Sequence, residues 1–512
     1  MLFLIKIFPE ISIKSRPVRK RFIRQLRKNI RSVIRPLDSD VEVTGEWDII
    51  EVKTGAIAAR ASQGSEPETA TQDEIDLRAN MVEQLTRIPG IALVQAVDKY
   101  PLPDMDGMLE LCLRTYTAKI EGRTFAVRCK RSGRHGFRSV DVERYVGGGL
   151  NQQTEAAGVK LVDPDVTVVL EIRQDQLFIV REQHGGLGGY PLGCQDSVLS
   201  LISGGFDSSV SSYLCIKRGL QTHYCFFNLG GKAHELAVKE VALFLWMKYH
   251  SSHRVKFISV PFEAVIEEIL NRVDNSLMGV VLKRMMLRVA GKIAEQMQIN
   301  AIVTGESVAQ VSSQTLANLA VIDRVAELLV LRPLCTVNKQ EIIDIARDIG
   351  SEEFSRNIPE YCAVISNNPS TRAKLERVEY EETRFDFSVL DAAVKKSKHQ
   401  LITELAKDFG QEAVDVKIVN EVGPEHTIID IRHPTEQEAR PLILHQSTAP
   451  AAMLSIPFYQ LRTSFTELDK SKSFLLFCDK GMMSRLHAAN LLDEGFANVA
   501  VLDISAAMAN PQ

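Results

Sequence analysis

At 512 residues the chain is long enough for three or four domains of about 100–200 residues each, and a composition of 45 % apolar and 25 % charged residues excludes a disordered or fibrous protein. The net charge of −4 conceals an uneven distribution, because residues 1–36 hold eleven Lys or Arg against Glu10 alone, which leaves the remainder distinctly acidic. No run reaches the roughly 20 apolar residues of a membrane span, no signal-peptide pattern is present, and the eight cysteines form no Cys-x-x-Cys pair, so a zinc site or disulfide scaffold is not expected and a reducing, cytoplasmic setting is.

In chain order, residues 2–8 form an apolar strand. Val18, Phe22, Leu26, Ile30 and Val33 then recur at helical spacing, with Arg19, Lys20, Arg24, Arg27, Lys28 and Arg31 on the other faces. Such a basic face fits either a solvated helix surface or a contact with a polyanion. Residues 56–73, rich in Ala, Ser, Gly, Gln and Thr, read as an insertion rather than packed structure. A second α/β block follows, with a helix over 74–86, a strand over 124–129, the basic run Arg128, Lys130, Arg131, Arg134, His135 and Arg138, a helix over 140–148 and a strand over 165–171. From about 189 to 395, short apolar strands (198–202, 223–227, 255–260, 301–304) alternate with helices, which predicts a doubly wound parallel sheet. Residues 395–415 read as a polar helical connector, and the last hundred residues are again αβ on a smaller scale.

Two turns carry chemistry. The strand 198–202 runs into Ser203-Gly-Gly-Phe-Asp-Ser208 and then a helix that stops at Gly219. Glycines between a buried strand and a helix expose backbone N–H groups at a positive dipole end, which is an anion site. Gly204 and Gly205 allow close approach of phosphate, Ser203 and Ser208 supply hydroxyls, and Asp207 suits a Mg²⁺ ion bridging phosphates. The string resembles the PP-loop of ATP pyrophosphatases, which cleave ATP between the α and β phosphates, and it is not a Walker A loop. The second turn follows the apolar strand 473–477 and begins Cys478-Asp-Lys-Gly-Met-Met-Ser484 ahead of another helix. A thiolate there sits among helix-start N–H groups, which favours the anion and makes it nucleophilic. With Asp430-Ile-Arg432 at the end of an earlier strand, this part resembles rhodanese-like sulfur-transfer domains, except that Met482 and Met483 stand where many thiosulfate-using members carry an arginine. That departure favours a protein persulfide as donor.

Further segments give the resemblance its focus. Asn228-Leu-Gly-Gly-Lys-Ala-His234, Met278-Gly-Val-Val-Leu-Lys-Arg-Met-Met286, Val303-Thr-Gly-Glu-Ser307 and Gln310-Val-Ser-Ser-Gln-Thr-Leu-Ala-Asn-Leu319 closely resemble the tRNA 4-thiouridine synthetase family, and the likeness runs from about residue 3 to 502. Residues 141–151 resemble the THUMP domain, which grips tRNA in related RNA-modifying enzymes. The resemblance implies five segments: a ferredoxin-like domain (1–76), a THUMP domain (79–183), a PP-loop adenylation domain (189–395), a linker (396–424) and a rhodanese-like domain (425–512). It implies ATP binding by Leu201, Ile202, Lys283, Gly305 and Gln314, and a need for Asp207 and Lys339 in adenylation. Cys362, in Asn357-Ile-Pro-Glu-Tyr-Cys-Ala-Val-Ile-Ser366, matches the cysteine that pairs with Cys478 during turnover, and both a Cys362–Cys478 disulfide route and a released-hydrosulfide route remain open. Also implied are uridine 8 of tRNA as target, a cysteine desulfurase as sulfur donor, a thiamine sulfur-carrier protein as second acceptor, and room for a homodimer. An amide-forming PP-loop ligase is the enzymatic alternative, disfavoured for want of a glutaminase domain; an RNA-binding protein with a decayed core is the non-enzymatic one.

Overall fold

The computed structural model describes residues 1–45, 49–55, 72–229, 231–356, 369–405, 416–420, 422–432, 434–439, 441–442, 452–478, 482–493 and 495–503. It divides into two units: residues 1–195 with 217–219, and the remainder.

The first unit is built on one eight-stranded sheet. Its strands are β1 (Leu2–Ile7), β2 (Glu42–Thr44), β3 (Ile49–Lys53), β4 (Ile91–Pro101), β5 (Thr124–Ser132), β6 (Gly158–Val159), β7 (Val166–Arg173) and β8 (Gln176–Gly185), in the order β2-β3-β1-β4-β8-β7-β5-β6. The expected strand and basic helix near the start are present as β1 and the helix Arg16–Ile34, which buries Phe22, Leu26 and Ile30. β4 and β8 were not anticipated. They pair antiparallel from Leu93↔Gly185 to Pro101↔Gln176, and the antiparallel pairing of β4 with β1, Leu2↔Val97 to Ile7↔Ile91, joins what read as two separate blocks into a continuous sheet. The helix Gln72–Thr86 sends Met81 and Leu85 into the same core as Phe3, Leu26 and Ile50, so that core draws residues from both sides of the expected 76/79 boundary. The helix expected over 140–148 runs on to Gln153. The expected insertion lies almost entirely outside the described residues.

In the second unit, β9 (Ser197–Leu201), β10 (Gln221–Asn228), β11 (Lys256–Pro261), β12 (Ala301–Val303), β13 (Leu329–Leu331) and β14 (Lys398–Leu401) form a sheet ordered β13-β12-β9-β10-β11-β14. All neighbours are parallel except β14, which runs antiparallel to β11. The alternation of strands and helices predicted this doubly wound arrangement. The expectation of a helical connector from residue 395 is corrected: Lys398–Leu401 is an edge strand. Its polar sequence has little strand character of its own, but the open edge of β11 offers unpaired backbone groups, and Ile402 and Leu405 are buried just beyond.

The last sheet contains β15 (Ile418–Val419), β16 (His426–Asp430), β17 (Ala452–Ser455), β18 (Ser473–Phe477) and β19 (Val499–Leu502), ordered β15-β19-β18-β16-β17 and parallel throughout. Its core includes Ile428, Leu475, Phe477 and Leu502.

Candidate functional site: two switch-point crevices

Strand order in the larger sheet reverses at β9. The chain moves from β9 outward through β10 and β11, then returns to the other side of β9 with β12. At such a reversal the connections leaving adjacent strands part in opposite directions and open a crevice at the carboxyl ends. The Ser203–Ser208 loop leaves β9 at this point, and Gly305 follows β12.

Gly204 adopts a left-handed φ of +83°, which lets the loop turn into the helix Phe206–Lys217. The Ser208 hydroxyl accepts from the Ser203 backbone N–H (3.1 Å) and from Ser203 Oγ (3.2 Å), and donates to the Gly205 carbonyl (3.0 Å). Its hydrogen-bonding capacity is thus spent on closing the loop, a use that the expectation of a phosphate-facing hydroxyl did not include.

Asp207 accepts from Lys339 Nζ at Oδ1 (2.8 Å) and from Gln310 Nε2 at Oδ2 (2.7 Å). Lys339 opens the helix Lys339–Ile349, far along the chain from Asp207, and the fold brings together two residues that only resemblance had linked. Gly305 packs so tightly on the loop that an added Cβ would lie 2.6 Å from the Asp207 carbonyl carbon and 2.8 Å from Ser208 N. The cleft is further lined by Leu201, Ile202, Phe226, Phe227, His234, Lys283, Glu306 and Gln314. Gln314 accepts from the Ser307 N–H (3.3 Å). His234 Nε2 faces the Ser203 carbonyl at 3.4 Å, and burial lowers its pKa, so the ring is neutral and Nε2–H donates.

Lys283 donates to Glu306 Oε1 at 2.6 Å. Burial pushes the Glu306 carboxyl upward, but the charges of Lys283 and Arg332 and their hydrogen bonds outweigh this and hold it below its ordinary range. Glu306, Gln310 and His234 were missed as site residues, although each stands inside a quoted segment; adjacency of Glu306 to Gly305 was the available signal.

The smaller sheet repeats the geometry. The chain leaves β16 toward β17 and returns to the other side with β18, so the reversal lies between β16 and β18. Cys478 follows β18 and Asp430–Arg432 ends β16. Cys478 is 7 % exposed, and its Sγ receives the Ser484 backbone N–H at 3.3 Å and lies 3.4 Å from the Ser484 hydroxyl. Ser484 lies in the first turn of the helix Met482–Asp493, so the sulfur sits against a helix-start N–H as the sequence led one to expect. Arg432 and Asp430 form a buried ion pair (2.6 Å), and the guanidinium lies over the Phe477 ring at 5.0 Å. Residues 479–481 and Cys362 lie outside the described residues. Phe354, just before that second gap, stacks on Phe458 (4.4 Å), which in turn neighbours His487 on the Cys478 helix (6.2 Å). Burial pushes the thiols of Cys112, Cys215 and Cys194 up to about 12, which leaves them inert at neutral pH.

In the first unit, Lys14, Arg16, Lys20, Arg21, Arg24, Lys28 and Arg35 are exposed on or beside the first long helix, as are Arg128, Lys130, Arg134 and Arg138 of the second basic run. Arg131 and His135 are tied together (2.9 Å), and the ring also contacts the Gln174 carbonyl (2.8 Å).

Three family models match the chain: the thiamine biosynthesis protein ThiI over residues 193–387, the THUMP domain over 103–181 and the ThiI ferredoxin-like domain over 2–62. The tRNA sulfurtransferases of Pseudomonas aeruginosa and Azotobacter vinelandii are each 52 % identical over 501 residues, covering 98 % of this chain and 99 % of theirs. That of Saccharophagus degradans is 51 % identical with the same coverage. A crystal structure of a 4-thiouridine synthetase–RNA complex with bound ATP superposes with a TM-score of 0.65 at 25 % identity, covering 78 % of this chain and 99 % of that one.

Proposed function

The chain belongs to the tRNA sulfurtransferase family, and from that premise we propose that it activates uridine 8 of tRNA with ATP in the larger crevice and thiolates it with sulfur carried on Cys478, giving 4-thiouridine. The observation that carries the reading is the convergence of Lys339 and Gln310 on Asp207, in a loop that lines one cleft with Lys283, Gly305 and Gln314.

The uridine O4 attacks the α phosphorus of ATP, pyrophosphate leaves, and AMP remains on O4. The loop and Lys283 take the charge of the phosphates, and Leu201, Ile202 and Phe226 offer the apolar surface a purine needs. Asp207 fits a Mg²⁺ ion held jointly with phosphate oxygens, since Mg²⁺ is commonly bound through one or two carboxylates plus phosphates and the two Asp207 oxygens retain lone pairs beyond the bonds from Lys339 and Gln310. When bound, the ion would offset charge on the leaving pyrophosphate. Lys339 and Gln310 hold the Asp207 carboxylate in one orientation.

Sulfur enters as a Cys478 persulfide. Its terminal sulfur attacks C4, AMP leaves, and C4 is then joined through a disulfide to Cys478. The Cys362 thiol attacks Cys478 Sγ, which releases the thiocarbonyl and leaves a Cys362–Cys478 disulfide for a reductant to open. The Phe354–Phe458 stack supports this route, because it ties the stretch leading to Cys362 to the block that bears Cys478. A cysteine desulfurase is the donor, and the thiamine sulfur-carrier protein is a second acceptor of the same persulfide. The exposed basic residues of the ferredoxin-like and THUMP regions fit the phosphate backbone of tRNA. The cytoplasm is the setting this substrate requires.

The test is mass spectrometry of tRNA nucleosides from a strain lacking the gene, complemented in turn with the wild-type, Asp207→Ala and Cys478→Ala chains. Only the wild type should restore 4-thiouridine; restoration by either variant would overturn the assignment. Thiazole-dependent growth of the same strains reports the carrier-protein branch separately.

A further inference from the structure

Glu306 presents a problem of charge. It lines the nucleotide cleft immediately after Gly305, and its carboxylate is almost fully buried. A buried anion beside a polyphosphate site opposes binding unless it is compensated. Here the compensation is specific. Oε1 takes Lys283 Nζ (2.6 Å), while Oε2 takes Arg332 Nε (2.8 Å) and the Thr304 hydroxyl (3.1 Å). Arg332 is itself fixed from behind by Asp323, at 3.0 Å through Nη1.

We infer that Glu306 is a positioning residue for the activation step, holding the Lys283 ammonium toward the phosphates while Arg332 and Thr304 keep its own carboxylate immobile. Two features make the arrangement effective. First, an ammonium has three N–H donors, so a lysine that gives one to Glu306 keeps two for phosphate oxygens. A long flexible side chain is thereby ordered before the nucleotide arrives, which lowers the entropic cost of binding. Second, the Arg332 charge cancels that of Glu306, leaving the Lys283 charge to act on the cleft, while Asp323 is partly exposed and screened by water.

This inference rests on the reading that Lys283 meets ATP phosphates, and the test separates the two. ATP and adenosine binding, together with tRNA-dependent AMP release, would be measured for Lys283→Ala, Glu306→Gln and the double variant. Glu306→Gln should raise the KM for ATP roughly tenfold while leaving adenosine affinity unchanged, because the lost interaction serves only the phosphates. The double variant should be no worse than Lys283→Ala alone, since Glu306 acts through Lys283. Additive losses, weakened adenosine binding, or unchanged or tighter ATP binding in Glu306→Gln would overturn the inference. No effect of Lys283→Ala on ATP would instead remove the underlying reading. If Glu306→Gln does not fold, Glu306→Asp carries the same comparison, because it keeps a charge for Arg332 and withdraws it from Lys283.

Discussion

The two crevices share a topological plan and differ in the residues that follow their central strands. Each lies where parallel strands reverse their order, and in each a buried strand is followed within a few residues by a helix. After β9 and Ile202 comes Ser203, and the glycines behind it turn the chain into the helix. After β18 comes Cys478, whose sulfur takes the Ser484 N–H. In the proposed function the first of these sites receives a ligand and the second carries a reactive group.

The comparison breaks most sharply by exchanging losses. Asp207→Ala should lower tRNA-dependent AMP release by about a thousandfold or more while ³⁵S loading of Cys478 from a desulfurase stays normal. Cys478→Ala should do the reverse. Loss of both activities in either variant would mean that the two crevices do not work as separable parts.

A smaller effect is expected from Gly305→Ala. The added methyl would meet the Asp207 carbonyl carbon at 2.6 Å, so the loop must shift, at a cost of about 1–3 kcal/mol and with a rise in the ATP KM of about ten- to a hundredfold. Calorimetry and steady-state kinetics would check this, and wild-type values would contradict the packing described.

Ser484→Ala sharpens the contrast from the other side. It removes a hydroxyl near Cys478 Sγ but keeps the backbone N–H, so persulfide loading should fall by no more than about threefold if the main chain provides the cradle. A loss near that of Cys478→Ala would transfer the role to the hydroxyl.

The mildest test is of pH. His223 accepts the Lys256 N–H at Nδ1 (3.0 Å), and burial, aided by the Lys256 charge, lowers its pKa to about 4. Burial lowers that of His487, on the Cys478 helix, to about 4 as well. Unfolded, both would take up protons near their ordinary value of about 6.5. Stability from these neutral rings is therefore complete above that value and is lost as pH falls from about 6.5 toward 4. The unfolding midpoint should drop between pH 7 and 5, and His223→Gln should flatten the dependence; an unchanged midpoint would show that the rings are not held neutral.

Much of this organisation was legible in the residues. A glycine-rich turn and a lone cysteine, each framed by an apolar strand and a helix, are local patterns, and local sterics and dipoles act within a few residues whatever the rest of the chain does. Resemblance added Asp207 and Lys339 as a pair, but not their contact. The apolar runs of β4 and β8 were there to be read, whereas β14 escaped notice because its stability comes from a neighbour's open edge rather than from its own polar composition. Gln310 on Asp207 and Glu306 under Lys283 escaped for a related reason. The sequence by itself determined the two strand–turn–helix segments, one glycine-rich and one opening on Cys478. Only the tertiary structure decided which distant side chains steady those segments, because a hydrogen bond between residues far apart in the chain exists only once the sheet has fixed where their helices begin.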